Sequence, residues 1–362
     1  MKKIDLIVGA RPNFIKAFPV YNALDKTKSF SLRLINTGQH YDKNMVEVFF
    51  NQLNMKNPDI NLGIGSGRHG EQTGKLLQAL EKEFISQEPD LVMVFGDVNS
   101  TLAAALAAAK LQIPLVHIEA GLRSFDRGMP EEINRVLTDQ ISDLLFITSP
   151  EAEENLLKEN KKKNQIHFVG NTMIDSLVGY QHLFNCTKIK ELYDLKEKKF
   201  ILITLHRPSN VDDPVNLEKL IISLNKVAEY ITCLWPVHPR TQQKMGSLSL
   251  KSHRKLIMIE PLGYFEFMGL QRDARAVVTD SGGVQEESTF LKVPCLTVRN
   301  NTERPITIKR GTNRLIGTKY SNIPLELKKV LAEKNISVVP KLWDGKSSDR
   351  IAQILIKHQI FN

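Results

Sequence analysis

Ile4-Asp5-Leu6-Ile7-Val8, running into Gly9-Ala10-Arg11-Pro12-Asn13-Phe14-Ile15-Lys16, decides the fold. A short apolar run hands over through a glycine to a segment with proline near its start. Proline suits a first helical turn, where its missing N–H removes no bond. The same handover recurs twice. Leu91–Phe95 leads into Gly96-Asp97-Val98-Asn99-Ser100-Thr101, and Ala276–Thr279 leads into Asp280-Ser281-Gly282-Gly283-Val284-Gln285-Glu286-Glu287. In open α/β sheets, ligands bind at the carboxyl ends of strands. The three handovers put a cation pair (Arg11 and Lys16), a carboxylate (Asp97) and a glycine loop where a ligand would sit. An anionic, phosphorylated ligand and acid–base chemistry fit that set.

Working outward, strands and helices alternate. Strands are expected at Leu32–Asn36, Leu115–Ile118, Leu144–Thr148 and His167–Val169, and helices at Asn13–Leu24, Glu71–Ile85, Ser100–Leu111, Glu131–Ile141 and Pro150–Glu159, the last capped by Ser149. A Lys-rich stretch, Thr187–Lys199, follows, and the alternation restarts at Phe200–Leu205 with further strands at Ile231–Val237, Leu256–Ile259 and Cys295–Val298. Apolar strands alternating with helices mean a parallel sheet covered on both faces. The expected fold is α/β, with two Rossmann-like domains, 1–180 and 181–362, facing a cleft. The last helix is free to pack back on the first domain.

With 362 residues, two domains are the natural division. Apolar (42%) and charged (25%) fractions are those of a soluble globular chain. The net charge of +9 is spread thinly, with clusters at 158–163 and 196–199 that read as solvated helix ends, so no nucleic-acid partner is expected. Three cysteines, Cys186, Cys233 and Cys295, form no CxxC pair, which fits a reducing cytoplasm. Ile4–Val8 is too short for a signal segment, and no run is long enough to span a membrane.

Further candidates follow from position. Glu119, in His117-Ile118-Glu119, ends a buried strand, which demands a partner; Arg123 or Arg135 could supply it. Glu131 and Glu132 follow Pro130, where acids complement a helix N-terminus. Asp97, Glu119 and Glu131 approach one sheet edge, an arrangement suited to general acid–base work. Asn99 or Ser100 is expected to cap the next helix, leaving the Asp97 carboxylate for the ligand. His206 ends the first strand of the second half and reads as a phosphate donor, a proton carrier or a structural histidine. Ser281, Gly282 and Gly283 open a helix whose N–H groups suit phosphate oxygens. Glu287, one turn on, could reach a sugar hydroxyl pair, and Arg304 lies beyond the next strand. The G-x-G-x-x-G at 65–70 does not follow a first strand, so it reads as a glycine loop and not a dinucleotide site. No metal-ligand spacing is present.

The runs GARPNFIK (9–16), NTGQHYD (36–42), GDVNST (96–101), HIEAGLRS (117–124), PEEINR (130–135), HRPSN (206–210), VHPRT (237–241), DSGGVQEES (280–288), TERP (302–305) and GTNRLIG (311–317) stand in the order found in one family. Over nearly its full length the chain resembles the non-hydrolysing UDP-N-acetylglucosamine 2-epimerases. The resemblance implies a GT-B-like fold and a cytoplasmic homodimer without a redox cofactor. It also implies interconversion of UDP-N-acetylglucosamine and UDP-N-acetylmannosamine by loss and re-addition of UDP through 2-acetamidoglucal. By the resemblance, Asp97, Glu119 and Glu131 share proton transfer and cation stabilisation. His206, Arg11, Ser281 and Gly282 stand near the diphosphate and Glu287 at the ribose. Lys16, Arg135 and Arg304 are further site residues, and Phe267 lines the uracil pocket. A 2-epimerase of a modified UDP-sugar, such as a 2,3-diacetamido uronic acid or a 6-deoxy sugar, is the nearest alternative. A hydrolysing 2-epimerase, a GT-B glycosyltransferase and a catalytically dead sugar sensor follow it.

Two departures bear on regulation. Members activated by their own substrate carry QHxxQ and a later Arg-Gln pair; here the sequence reads Gln39-His40-Tyr41-Asp42 and Glu71-Gln72. A third is Pro208-Ser209 where the family's HRxEN motif has glutamate before its asparagine. Altered or absent activation by UDP-N-acetylglucosamine is expected. Initial rates from UDP-N-acetylmannosamine should be hyperbolic and unstimulated by added UDP-N-acetylglucosamine; a lag abolished by that sugar refutes this.

Overall fold

The computed structural model describes residues 1–38, 56–246, 252–333, 338–358 and 360. It divides into two compact units, residues 1–180 with 341–362, and residues 181–340.

In the first unit, β1 (Lys2–Val8), β2 (Phe30–Asn36), β3 (Ile60–Asn61), β4 (Leu91–Phe95), β5 (Leu115–Ala120), β6 (Leu144–Ile147) and β7 (Ile166–Phe168) form a parallel sheet in the order β3-β2-β1-β4-β5-β6-β7. Helices α1 (Arg11–Thr27), α2 (His69–Gln87), α3 (Asn99–Lys110), α4 (Pro130–Ile141), α5 (Pro150–Lys158) and α6 (Thr172–Tyr180) connect and cover the strands. β4 is buried at every residue, as a central parallel strand must be. α2 buries Gln72, Leu76, Leu80 and Phe84, one residue per turn. These meet the alanine face of α3 and the side chains of Val92 and Val94. Alanine lets that helix lie close to its neighbours, and each buried leucine or phenylalanine contributes about 1.5–3 kcal/mol. Asp5, inside the apolar run of β1, is fully buried opposite Arg33 of β2, which donates through Nε to Oδ1 at 2.8 Å and pairs at Oδ2.

In the second unit, after the short α7 (Thr187–Leu192), strands β8 (Phe200–Thr204), β9 (Thr232–Pro236), β10 (Leu256–Ile259), β11 (Ala276–Thr279), β12 (Cys295–Thr297) and β13 (Asn313–Leu315) form a parallel sheet in the order β10-β9-β8-β11-β12-β13. Its helices are α8 (Pro208–Val211), α9 (Pro214–Ala228), α10 (Pro239–Met245), α11 (Tyr264–Asp273), α12 (Gly282–Phe290), α13 (Ile306–Lys309) and α14 (Ile323–Ala332). Along β8, Ile201 and Ile203 enter one core with Leu217, Leu220 and Trp235, while Phe200 and Leu202 enter another with Leu234 and Leu270. Period-two alternation therefore buries both faces.

Strand order reverses between β1 and β4, and again between β8 and β11. These are topological switch points, where α/β sheets open a crevice beyond the strand ends. The motifs Gly9–Lys16 and Gly96–Thr101 flank the first; His206–Asn210 and Asp280–Glu287 flank the second.

The expected elements differ from the observed ones mostly by one to three residues at their ends. β3 and β13 were not among the expected strands, and the Lys-rich stretch 187–199 contains α7. Ser149 precedes α5 as expected, but its Oγ is buried without a hydrogen-bond partner and caps nothing.

Residues 341–362 end in α15 (Ser347–Lys357), which buries Ile351, Ala352 and Leu355 in the first unit. The Trp343 indole N–H donates to the Thr148 carbonyl at 3.0 Å, and Arg350 donates to the Val169 carbonyl at 3.0 Å. Asp175 of α6 accepts from the backbone N–H groups of Ser347 (3.1 Å) and Ser348 (2.6 Å), so α15 is capped by a residue remote in sequence. Replacing Asp175 by alanine should lower the unfolding free energy by about 1–2 kcal/mol, the range of a lost N-cap. Hydrogen exchange should accelerate first at the amides of Ser347 and Ser348; unchanged protection there would contradict the assignment.

Candidate active site

At the first switch point the carboxylates are held by cations. Glu119 is the penultimate residue of β5, with φ +74°, and the pairing of β5 with β6 shifts register between Ile118 and Ala120. An L-residue enters that region only at some energetic cost. The irregularity re-aims the side chain, which is 5% exposed and bonded to Lys16 Nζ from α1. The expected partners, Arg123 and Arg135, are engaged elsewhere. Arg123 pairs with Asp139 and Glu159, and Arg135 with Asp97 and Glu132.

Gly96 explains the glycine of this turn. Its φ is +65°, and a Cβ there would lie 3.3 Å from both Glu119 Oε2 and Lys16 Nζ. Asn13 of α1 braces the same turn, accepting from the Ala10 N–H at 3.0 Å and donating to the Phe95 carbonyl at 2.7 Å.

Asp97 follows, half-buried. Arg135 donates to its Oδ2 through Nε at 2.9 Å and approaches it through a terminal nitrogen at 2.7 Å. The expected caps do other work, and Val98 takes the N-cap position without a side-chain bond. Asn99 donates to Gln72 Oε1 (2.8 Å), and Ser100 Oγ lies 2.7 Å from Thr37 Oγ1. Asn134 donates to the Asp97 carbonyl at 2.8 Å.

Glu131 and Glu132 open α4, and their surroundings differ. Glu131 is half-exposed. Glu132 is buried and bonded to Arg135; it also accepts from the Ser124 N–H (2.9 Å), Ser124 Oγ (3.0 Å) and the Phe125 N–H (2.8 Å). Glu132 thus holds both the loop after β5 and the arginine on Asp97. Sequence reading assigned it to the helix terminus alone; the Ser124 three residues after Gly121 was the available signal.

Beneath this layer His117 of β5 is fully buried, with Nδ1 2.6 Å from Asp139 Oδ1 and Nε2 2.8 Å from the Gly96 carbonyl oxygen. Asp139 Oδ2 accepts from the Gly121 N–H at 3.0 Å and pairs with Arg123 at 2.8 Å. Burial alone would push the Asp139 carboxyl up, but His117 and Arg123 outweigh it and hold it below the usual carboxylate range.

At the second switch point the organising residue is Asp280, fully buried at the end of β11. It accepts from the backbone N–H groups of His206 (3.0 Å) and Arg207 (2.9 Å), and from Asn210 Nδ2 (2.9 Å). His206 Nδ1 lies 3.3 Å from the same carboxylate, and its side chain stays 44% exposed, available to a ligand. Tyr320 donates to Asn210 Oδ1 at 3.1 Å. From the sequence, Asp280 reads as part of its motif and not as a site residue. A carboxylate closing an apolar strand is the signal, since burial obliges it to collect donors.

Ser281 is the N-cap position of α12, and Gly282 and Gly283 begin it; all three are half-buried. A Cβ on Gly282 would sit 2.4 Å from an Arg304 guanidinium nitrogen, so the close approach of that arginine requires glycine. Arg304 is buried between Glu286 (2.9 Å) and Glu303. Glu287, also buried, accepts from the Tyr264 hydroxyl at 3.4 Å. Phe267 on α11 is half-buried against the core that holds Phe200 and Leu202. Arg11 begins α1, but its side chain is outside the described set, as are Gln39-His40-Tyr41-Asp42. Gln72 is buried, its Nε2 donating to the Gly65 carbonyl at 3.0 Å, while Glu71 is exposed and pairs with Lys75. The glycine stretch 65–70 leads from β3 into α2. Among the described residues, no group of three or more His, Cys, Asp or Glu side chains is placed to hold a metal ion.

Two doubly wound parallel units, each with its motifs at a switch point, define the class: a two-unit, GT-B-like α/β protein. A family model described as UDP-N-acetylglucosamine 2-epimerase matches residues 22–356, and the chain belongs to that family. The UDP-N-acetylglucosamine 2-epimerase of Methanococcus maripaludis is 44% identical, with 98% of each chain covered. The Methanocaldococcus jannaschii UDP-GlcNAc 2-epimerase, solved in complex with UDP-GlcNAc and UDP, is 43% identical with a TM-score of 0.91, covering 98% of this chain and 100% of that one. The UDP-2,3-diacetamido-2,3-dideoxy-D-glucuronate 2-epimerase of Pseudomonas aeruginosa is 42% identical, with 98% of this chain and 99% of that protein covered.

The depressed Asp139 carboxyl has a definite pH consequence. Its stabilising contribution is present above the ordinary carboxylate range, near pH 4, and is lost as pH falls through its lower folded value. Asp139→Asn should therefore lower stability by about 3–5 kcal/mol at neutral pH, as expected when one partner of a buried pair is removed. In urea unfolding at a series of pH values, the gap to wild type should shrink below about pH 4; a gap that widens there contradicts the reading.

Proposed function

We propose that this protein is a non-hydrolysing 2-epimerase that interconverts UDP-N-acetylglucosamine and UDP-N-acetylmannosamine. The observation that carries this reading is the presentation of two strand-end carboxylates, each bridged to a cation, Glu119 to Lys16 and Asp97 to Arg135, within this family. The C2 proton of such a sugar lies beside an amide nitrogen, not a carbonyl, and is barely acidic. Departure of the anomeric diphosphate first builds oxocarbenium character, which acidifies C2. Removal of that proton gives 2-acetamidoglucal and UDP. A proton is then delivered to the opposite face of C2, and the UDP oxygen re-adds at C1. Nothing is oxidised or reduced overall.

Asp97, Glu119 and Glu131 are the groups proposed to share proton transfer and cation stabilisation. Preorganised carboxylates around a developing cation, and donors around a departing anion, act without reorganisation when the bond breaks. In the second unit His206 and the backbone N–H groups of Ser281, Gly282 and Gly283 are assigned to the diphosphate, with Arg11 from the first unit. Glu287 is assigned to the ribose and Phe267 to the uracil. Lys16, Arg135 and Arg304 already lie in ion pairs, so their assigned role is to hold Glu119, Asp97 and Glu286 in place.

The same reading makes the protein a cytoplasmic homodimer supplying an N-acetylmannosamine donor for polysaccharide synthesis. Ile133 and Leu137, one turn apart on α4 and 42% and 45% exposed, are the kind of apolar pair a second copy covers. Among the described residues no helix is long and apolar enough to cross a membrane. The Pseudomonas aeruginosa relative supports a second reading, in which the same chemistry acts on a 2,3-diacetamido uronic acid.

Proton NMR of UDP-N-acetylglucosamine with enzyme in D2O tests both. UDP-N-acetylmannosamine carrying deuterium at C2 should accumulate, and Glu119→Gln should slow it by about 10²–10⁴-fold. Free N-acetylmannosamine plus UDP would replace the proposal with hydrolysis. Absence of exchange, with exchange in the diacetamido uronic acid sugar, would move the assignment to the second reading.

A further inference from the structure

The hydrogen-bond inventory around His117 does not close with a neutral ring. Nε2 faces the Gly96 carbonyl oxygen at 2.8 Å, and a carbonyl can only accept. Nδ1 faces Asp139 Oδ1 at 2.6 Å. A neutral imidazole has one N–H, so one contact would set two lone pairs against each other in a site with no exposed surface. Two proton placements satisfy both contacts: an imidazolium facing a carboxylate, or a neutral ring facing a protonated Asp139. The other oxygen of Asp139 receives the Gly121 N–H and the Arg123 guanidinium, which favours the carboxylate. Charged groups from each neighbouring element enter the count. Asp139 comes from α4, Arg123 from the loop after β5, and Glu159 from the end of α5. Lys161, just after α5, interacts with both Asp139 and Asp143, so with a charged His117 the six groups carry three positive and three negative charges.

The pair also touches both turns that carry the proposed catalytic carboxylates. His117 holds the carbonyl of Gly96, the residue before Asp97. Asp139 holds the N–H of Gly121, two residues after Glu119. Gly96 and Gly121 have positive φ, which glycine adopts freely, whereas Glu119 at φ +74° is held there at a cost that its surroundings must offset. We infer that His117 is a permanently protonated, buried positioning residue whose pair with Asp139 fixes the spacing between Asp97 and Glu119. Its charged state follows from geometry alone; its effect on turnover rests on the 2-epimerase reading.

The decisive measurement is the protonation of each ring nitrogen in the full-length protein. In histidine-labelled enzyme, ¹H–¹⁵N correlation should show both His117 nitrogens protonated throughout about pH 5–8, where an ordinary histidine loses its charge. The His117→Gln variant assigns the signals by their disappearance. Should that variant not fold, neutron diffraction of the deuterated wild type reads a deuteron on each nitrogen directly. An unprotonated Nδ1, the mark of a neutral ring facing a protonated Asp139, or an unprotonated Nε2 at neutral pH overturns the inference. In turnover, folded His117→Asn should lose about 10²-fold in kcat with KM little changed, the scale of a small misplacement of reacting groups. A variant that is less stable but turns over at the wild-type kcat would reduce His117 to a structural role. A wild type inert on UDP-N-acetylglucosamine would sink the epimerase reading and leave the ring protonation to be judged by itself.

Discussion

The pairing of Glu119 with Lys16 is the constraint from which the first site is built. A carboxylate at the end of a fully covered strand cannot stand without a cation, because burial in low dielectric penalises a lone charge heavily. Satisfying it fixes α1 against the end of β5. It also crowds the space a Cβ at position 96 would take, where φ is +65°, and it draws Glu119 into a backbone region that most residues avoid. The neighbouring Asp97 is handled in the same way through Arg135, which also holds Glu132 and, through it, the loop from Ser124 to Phe125. Glu119 and Asp97 are therefore each set by a cation on a different helix.

The two units meet one physical problem with different chemistry. Both place functional groups beyond the strand ends at a reversal of strand order, where neighbouring connections diverge. In the first unit the groups held there are charged side chains. In the second they are largely backbone: a turn gathered by Asp280 and the N–H groups that open α12.

Much of the fold was legible because β4, β8 and β11 are short, apolar and bounded by glycine or a charged residue. Their alternation with helical spacing leaves little choice but parallel sheets. β3 and β13 were not legible, since Ile60-Asn61 and Asn313-Arg314-Leu315 each hold a single apolar residue, too little to mark a strand. The ion pair of Asp5 with Arg33 was hidden for a different reason: it depends on strand register, which no local pattern encodes. Within the candidate site, Asp97, Glu119 and Lys16 announced themselves by position, but their partners did not. Arg123 stands far nearer to Glu119 in sequence than Arg135 does, yet the packing of α4 and α5 sends the one to Asp139 and the other to Asp97. Glu132 and Asp280 were passed over because buried acids serving backbone donors look, in one dimension, like ordinary helix-end and turn residues.

The return of residues 341–362 to the first unit has a consequence for how the protein is made. The segment 181–340 lies, in chain order, inside the unit formed by 1–180 and 341–362. During synthesis from the N-terminus the second unit has all its strands before the first has its final helix. Until Ser347 and Ser348 are translated, the Asp175 carboxylate waits in a nascent chain without the amides it will cap. The unit that starts first therefore finishes last, and the unit inserted within it can fold as a completed insert while its host is still open.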